Sequence, residues 1–90
     1  MTYKVELARQ AEKALDRLDQ VTEKRLRDRL RELSFNPYDP RLSNDVIMEE
    51  GKRYSKVRDW RIIFRIEAAD MVIFSRLFNT GARLIANEFI

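Results

Sequence analysis

The stretch Lys52-Arg53-Tyr54-Ser55-Lys56-Val57-Arg58-Asp59-Trp60-Arg61-Ile62-Ile63-Phe64-Arg65-Ile66 concentrates the cations of this 90-residue chain: six of its fifteen residues are basic and only Asp59 is acidic. Guanidinium and ammonium groups at this density recruit anions. Arginine adds a planar, bidentate fork that matches a phosphate. The chain has no histidine and no cysteine. That removes the commonest general acid–base and zinc ligand, and with them any thiolate or disulfide chemistry. Proton transfer would have to fall on Lys, Arg, Tyr, Asp or Glu.

Positioning these cations requires a strand pair. The pattern predicts strands at roughly 53–58 and 60–66 joined at Arg58-Asp59. Side chains alternate across a strand, so Arg61, Ile63 and Arg65 share one face and Ile62, Phe64 and Ile66 the other. One face can bury in a core while the opposite face presents charge. Such a surface suits a polyanion, with RNA the leading candidate. Lys52, Arg53, Tyr54 and Arg58 are expected to contact it. Trp60 is expected to anchor the core rather than stack on a base.

Ninety residues fit a single domain spanning 1–90. The formal charge of +3 hides an asymmetry. Residues 1–45 carry ten basic and nine acidic side chains, whereas 46–90 carry eight and six, with the excess in 52–65. No apolar run approaches the roughly 20 residues that span a membrane, and the N-terminus has no signal-peptide core. The chain reads as cytoplasmic, with no membrane partner.

Along the chain, Tyr3–Leu7 alternates as a short strand. Ala8, Ala11, Leu15 and Leu18 then recur at helical spacing, predicting a helix of about three turns. Thr22 is the expected N-cap of a second helix, whose Leu26, Leu30 and Leu33 form a buried stripe. The run Arg25-Leu26-Arg27-Asp28-Arg29-Leu30-Arg31 would place its charges on a solvated face. The short connection predicts an antiparallel αα-hairpin. Asn36-Pro37 ends the second helix. Residues 41–51 read as an irregular connector anchored by Val46, Ile47 and Met48, with Glu49-Glu50 solvated. Met71–Phe78 is apolar enough for a central strand. Asn79-Thr80-Gly81 is loop chemistry, and 83–90 is a short helix or a tail. The fold class is α+β: a strand, an αα-hairpin, then a three-strand antiparallel meander in a small curved sheet.

This layout, with Lys56-Val57-Arg58-Asp59-Trp60-Arg61-Ile62-Ile63-Phe64 within it, resembles the RelE/ParE superfamily of toxins from type II toxin–antitoxin modules. The resemblance implies a toxin neutralised by a cognate antitoxin. RelE-like members cleave mRNA in the ribosomal A site without a metal or other cofactor. ParE-like members share the fold and inhibit DNA gyrase. By position, Arg61 matches the arginine that faces the scissile phosphate, and Lys56 matches a basic position used for phosphate contacts. Arg76 or Arg83 would serve as the further arginine. RelE-like members usually carry a tyrosine shortly after the last strand, whereas residues 79–90 here contain neither tyrosine nor histidine.

The chemistry implied is attack of a 2′-hydroxyl on the neighbouring phosphate. It needs a proton acceptor, charge stabilisation on the phosphorane and a donor for the leaving 5′-oxygen. Arginines supply the stabilisation. Lys56, set among Arg53, Arg58 and Arg61, is the expected base, since like charges favour its neutral form; Tyr54 is the second candidate. The sequence-level reading is a ribosome-dependent mRNA endonuclease that blocks translation. A gyrase inhibitor or a catalytically inactive antitoxin-binding homologue is the alternative.

Overall fold

A computed structural model describes residues 2–69 and 71–79. In chain order the elements are β1 (Lys4–Leu7), α1 (Arg9–Asp16), α2 (Gln20–Phe35), β2 (Asn44–Asp45), β3 (Lys52–Val57), β4 (Trp60–Glu67) and β5 (Val72–Asn79). Among the described residues they form a five-stranded sheet in the order β1-β5-β4-β3-β2. The meander β3-β4-β5 is antiparallel throughout, and β1 joins it parallel to β5, with Val5 opposite Ile73. The expected α+β layout is therefore the one observed. Arg83, the 79–81 loop beyond Asn79 and the terminal segment fall outside the described residues.

Helical periodicity built the hairpin as expected. Ala11 and Leu15 of α1, with Leu26, Leu30 and Leu33 of α2, are buried against Val57, Ile62, Phe64, Ile73 and Leu77 of the sheet. Each buried Val, Leu, Ile or Phe side chain among them contributes about 1.5–3 kcal/mol through burial. Trp60, Leu18 and Ile66 pack at the margin of this core. Asn36 takes an extended conformation ahead of Pro37 and closes α2, since proline excludes its predecessor from the helical region. Among the described residues no helix is long and apolar enough to cross a membrane.

Four local expectations are corrected. α1 is eight residues long, nearer two turns than three. The N-cap of α2 is Asp19, not Thr22: the Asp19 carboxylate accepts from the Thr22 backbone N–H at 3.0 Å and from its hydroxyl at 2.7 Å. Asp wins because it lies at the spacing at which a cap acceptor meets a free first-turn N–H. The 41–51 connector contains the two-residue strand β2, where Asn44 pairs Tyr54 and Asp45 pairs Arg53. Its Ile47 and Met48 do not anchor it: they are 87% and 97% exposed, with Met48 at φ 66°.

The Thr22 hydroxyl, followed by its backbone N–H, holds the Asp19 carboxyl below the ordinary value of 3.8. A depressed native pKa stabilises the fold above the unfolded value, and that contribution is lost as pH falls through the native one. Asp19→Asn keeps a cap but does not titrate. Denaturation midpoints of wild type and Asp19→Asn should therefore converge between pH 6 and the acid limit, with wild type losing the more.

One buried polar atom of the core has no partner. Ser75 lies on the helix side of β5, beside Leu7 and Phe64, and among the described residues its Oγ has no hydrogen-bond partner. An unsatisfied buried hydroxyl costs about 1–3 kcal/mol. Ser75→Ala should therefore raise stability by about 1 kcal/mol, a Tm gain of roughly 4–8 °C, read by thermal denaturation. An unchanged or lower Tm would show that the hydroxyl is satisfied.

Candidate nucleic-acid interface

Strand alternation and cross-strand register together build the cationic surface. Helices α1 and α2 cover one face of the sheet, contacting β1, β3 and β5, so Ile62, Phe64, Ser55 and Val57 bury there. The opposite face receives Lys52, Tyr54 and Lys56 from β3, Arg61, Ile63 and Arg65 from β4, and Arg76 and Phe78 from β5. Register sorts these into rows: Lys56, Arg61 and Phe78; Tyr54, Ile63 and Arg76; Lys52 beside Arg65. Side chains directly opposite in such a ladder have Cβ atoms about 4.5–5.5 Å apart. Lys56 and Arg61 are thus held side by side, with Arg76 on the diagonal.

Like charges in register oppose folding. Here no carboxylate offsets them: among the described residues Lys56, Arg58, Arg61 and Arg76 make no ion pair. Arg61 is half-buried, with its Cζ 5.0 Å from the centre of the Tyr54 ring and its Nε buried without an acceptor. Lys52, by contrast, pairs with Glu49 at 3.3 Å. Arg58 is exposed at the tip of the β3–β4 turn, at φ 54°, beyond the rows formed by Lys56 and Arg61.

Arg53 does not join this surface. It lies on the helix side of β3 with Ser55 and Val57. Its Nε donates to Ser43 Oγ at 2.9 Å, Nη2 to the Ser43 carbonyl at 3.0 Å, and Nη1 pairs with Asp45 at 3.0 Å. These bonds tie β3 to β2 and the chain before it. The expected contact with nucleic acid is corrected accordingly, and Arg53 also leaves the cluster expected around Lys56. The signal was available: period two puts residue 53 opposite 52, 54 and 56.

Arg29 is the residue that sequence reasoning missed. Its Nη1 donates to Ser55 Oγ at 2.8 Å and to the Lys56 carbonyl at 3.1 Å, fixing β3 from behind the cationic rows. It is therefore not part of a solvated face. Its spacing from Leu26 and Leu33, at i+3 and i−4, was the clue that it borders the buried stripe. Gln10 plays a similar part for β5: its side-chain amide donates to the Leu77 carbonyl at 2.6 Å and accepts from the Leu77 N–H at 3.2 Å. That extends the ladder past the end of β1 and steadies the strand carrying Arg76 and Phe78.

What the arrangement can do is bind an oxyanion in a cationic row and stabilise charge developing on it. Among the described residues no group of acidic side chains is placed to hold a metal ion.

The family model for the ParE toxin of the type II toxin–antitoxin system parDE matches residues 5–82. Among solved structures, the archaeal RelE–RelB complex from Pyrococcus horikoshii OT3 is 25% identical, with a TM-score of 0.73 over 90% of this chain and 98% of that one. The RelBE2 toxin–antitoxin complex from Mycobacterium tuberculosis is 18% identical, with a TM-score of 0.76 over 88% and 99%. A mutant of the E. coli toxin RelE in complex with an antitoxin RelBc peptide is 18% identical, with a TM-score of 0.78 over 100% and 96%. No curated protein matches the chain.

Proposed function

Because the chain belongs to the ParE toxin family of type II toxin–antitoxin systems, we propose that it acts as a toxin on mRNA at the translating ribosome. The observation that carries this reading is Lys56 beside Arg61, in register and with no carboxylate paired to either among the described residues. A phosphodiester is the ligand that such a row accommodates. The 2′-hydroxyl attacks the adjacent phosphate, the new P–O bond forms as the bond to the 5′-oxygen breaks, and a cyclic phosphate results. Arg61 stabilises the added charge on the non-bridging oxygens. Lys56 accepts the 2′-hydroxyl proton or clamps the phosphate, the leaving 5′-oxygen takes a proton from solvent water, and Arg76 holds the phosphate from the diagonal; Arg83 is the further candidate. The fold likeness to RelE structures supports this choice of target.

An antitoxin is the proposed partner. The solved relatives include toxin–antitoxin complexes, and a face on which Lys56, Arg61 and Arg76 make no ion pair among the described residues suits an acidic or amphipathic segment laid over it. The cytoplasm is the proposed location, since ribosomes and mRNA are there.

A block of DNA gyrase is the second reading. It is favoured by the ParE family model and by the lack of tyrosine and histidine in residues 79–90. A reporter mRNA translated in a reconstituted cell-free system separates the two. New primer-extension stops within translated codons support the endonuclease. Intact mRNA with normal translation overturns it, and loss of gyrase supercoiling in a parallel assay would then establish the second reading.

A further inference from the structure

Two arginines of this hairpin region lie over tyrosine rings, in opposite electrostatic circumstances. Arg53 Cζ is 5.7 Å from the centre of the Tyr38 ring, but its donors are already taken by Ser43 and Asp45. Its charge is neutralised and its role is to join strands. Arg61 Cζ is 5.0 Å from the Tyr54 ring, its Nε has no acceptor, and it makes no ion pair among the described residues. A carboxylate in place of Tyr54 would hold the guanidinium equally well, but it would cancel the charge and occupy the N–H groups. An aromatic face attracts a cation through its quadrupole and leaves in-plane donors free.

Register explains why a holder is needed. Lys56 is directly opposite Arg61, and Tyr54 is diagonal to it. Repulsion from Lys56 would swing a free guanidinium off the row. The diagonal separation, about 7–8 Å between backbones, is within reach of an aromatic ring and an arginine. We propose that Tyr54 is the positioning residue for Arg61: its ring fixes the guanidinium beside Lys56, with Nε buried, while leaving its charge and terminal Nη groups to an RNA phosphodiester. The ring is what acts, and the hydroxyl is dispensable. This inference rests on the endonuclease reading for its ligand, but not for the pairing itself.

Two variants and two readouts test it. Tyr54→Leu removes the ring at a half-buried strand position that leucine tolerates; Tyr54→Phe keeps the ring and removes the hydroxyl. The Arg61 Nε–Hε resonance in wild type should show a ring-current shift, retained in Tyr54→Phe and lost in Tyr54→Leu. Cleavage of translated reporter mRNA should fall about tenfold in Tyr54→Leu and be rescued by Tyr54→Phe. A phenylalanine variant as impaired as the leucine variant would overturn the proposal in favour of proton transfer by the hydroxyl. A leucine variant with wild-type resonance and rate would overturn positioning altogether. If wild type cleaves nothing, the endonuclease reading fails by itself. The resonance, followed during titration with a short single-stranded RNA oligonucleotide, then decides the pairing: weaker binding in Tyr54→Leu alone supports it, and equal binding in all three overturns it.

Discussion

Arg61→Ala should lower mRNA cleavage about a hundred- to thousandfold, the loss typical when a donor aimed at developing oxyanion charge is removed, and should abolish growth arrest on expression. The fold should survive. Arg61 is on the open face of β4, opposite the buried Ile62 and Phe64, and no described carboxylate depends on it. Truncation also removes a buried Nε that lacks an acceptor, so stability should hold or rise slightly. Arg61→Lys restores the charge without the planar fork and should recover only part of the rate. Cell-free cleavage mapped by primer extension, with a urea denaturation curve on the same sample, checks both halves. Unfolding of Arg61→Ala would mean that Arg61 is a structural residue, and full activity would remove it from the site.

The mirror-image result is expected for Arg53→Ala. That variant should lose about 3 kcal/mol of stability, since hydrogen bonds to a charged group are worth about 1.5–3 kcal/mol each and are not additive. The side chain is only 15% exposed. Removing it strips Asp45 of its cation and releases the Ser43 carbonyl, leaving β2 held to β3 by its backbone pairing alone. For a domain of this size the Tm should fall by roughly 10–20 °C. Cleavage per folded molecule should stay near wild type at a temperature where the variant is still native, because Arg53 is on the far side of the sheet from Arg61. Thermal denaturation and cleavage rate normalised to folded fraction test this. A stable Arg53→Ala with impaired RNA cleavage would return Arg53 to the nucleic-acid surface.

The contrast between two arginines eight residues apart shows what kind of information each level carries. Periodicity is local, and it was legible. Leu26, Leu30 and Leu33 marked one side of α2, Ile62 and Phe64 marked the core side of β4, and Asn36-Pro37 marked where the helix stops. The resemblance carried by Lys56 through Phe64 pointed to the family. Alternation, applied to β3 as strictly as to β4, would also have turned Arg53 away from Lys52, Tyr54 and Lys56.

Other features were settled only by the tertiary structure. Which strand β1 joins, and in which direction, depends on setting Val5 and Leu7 opposite Ile73 and Ser75 against the core, a pairing across most of the chain. Arg29 stands beside the buried stripe by its spacing from Leu26 and Leu33, but that spacing does not fix which acceptors it meets there. It turns inward because Ser55 and the Lys56 carbonyl stand within its reach once α2 packs on β3. The cationic face itself is of this kind: Lys56, Arg61 and Arg76 belong to three strands, and only register makes them neighbours. The sequence by itself determined which residues are cationic, which face of each element is apolar and where the elements break, since those follow from side-chain chemistry and backbone period. Partner choice among equally capable donors, and the meeting of charges on one face, were decided by the nonlocal packing that buries the other.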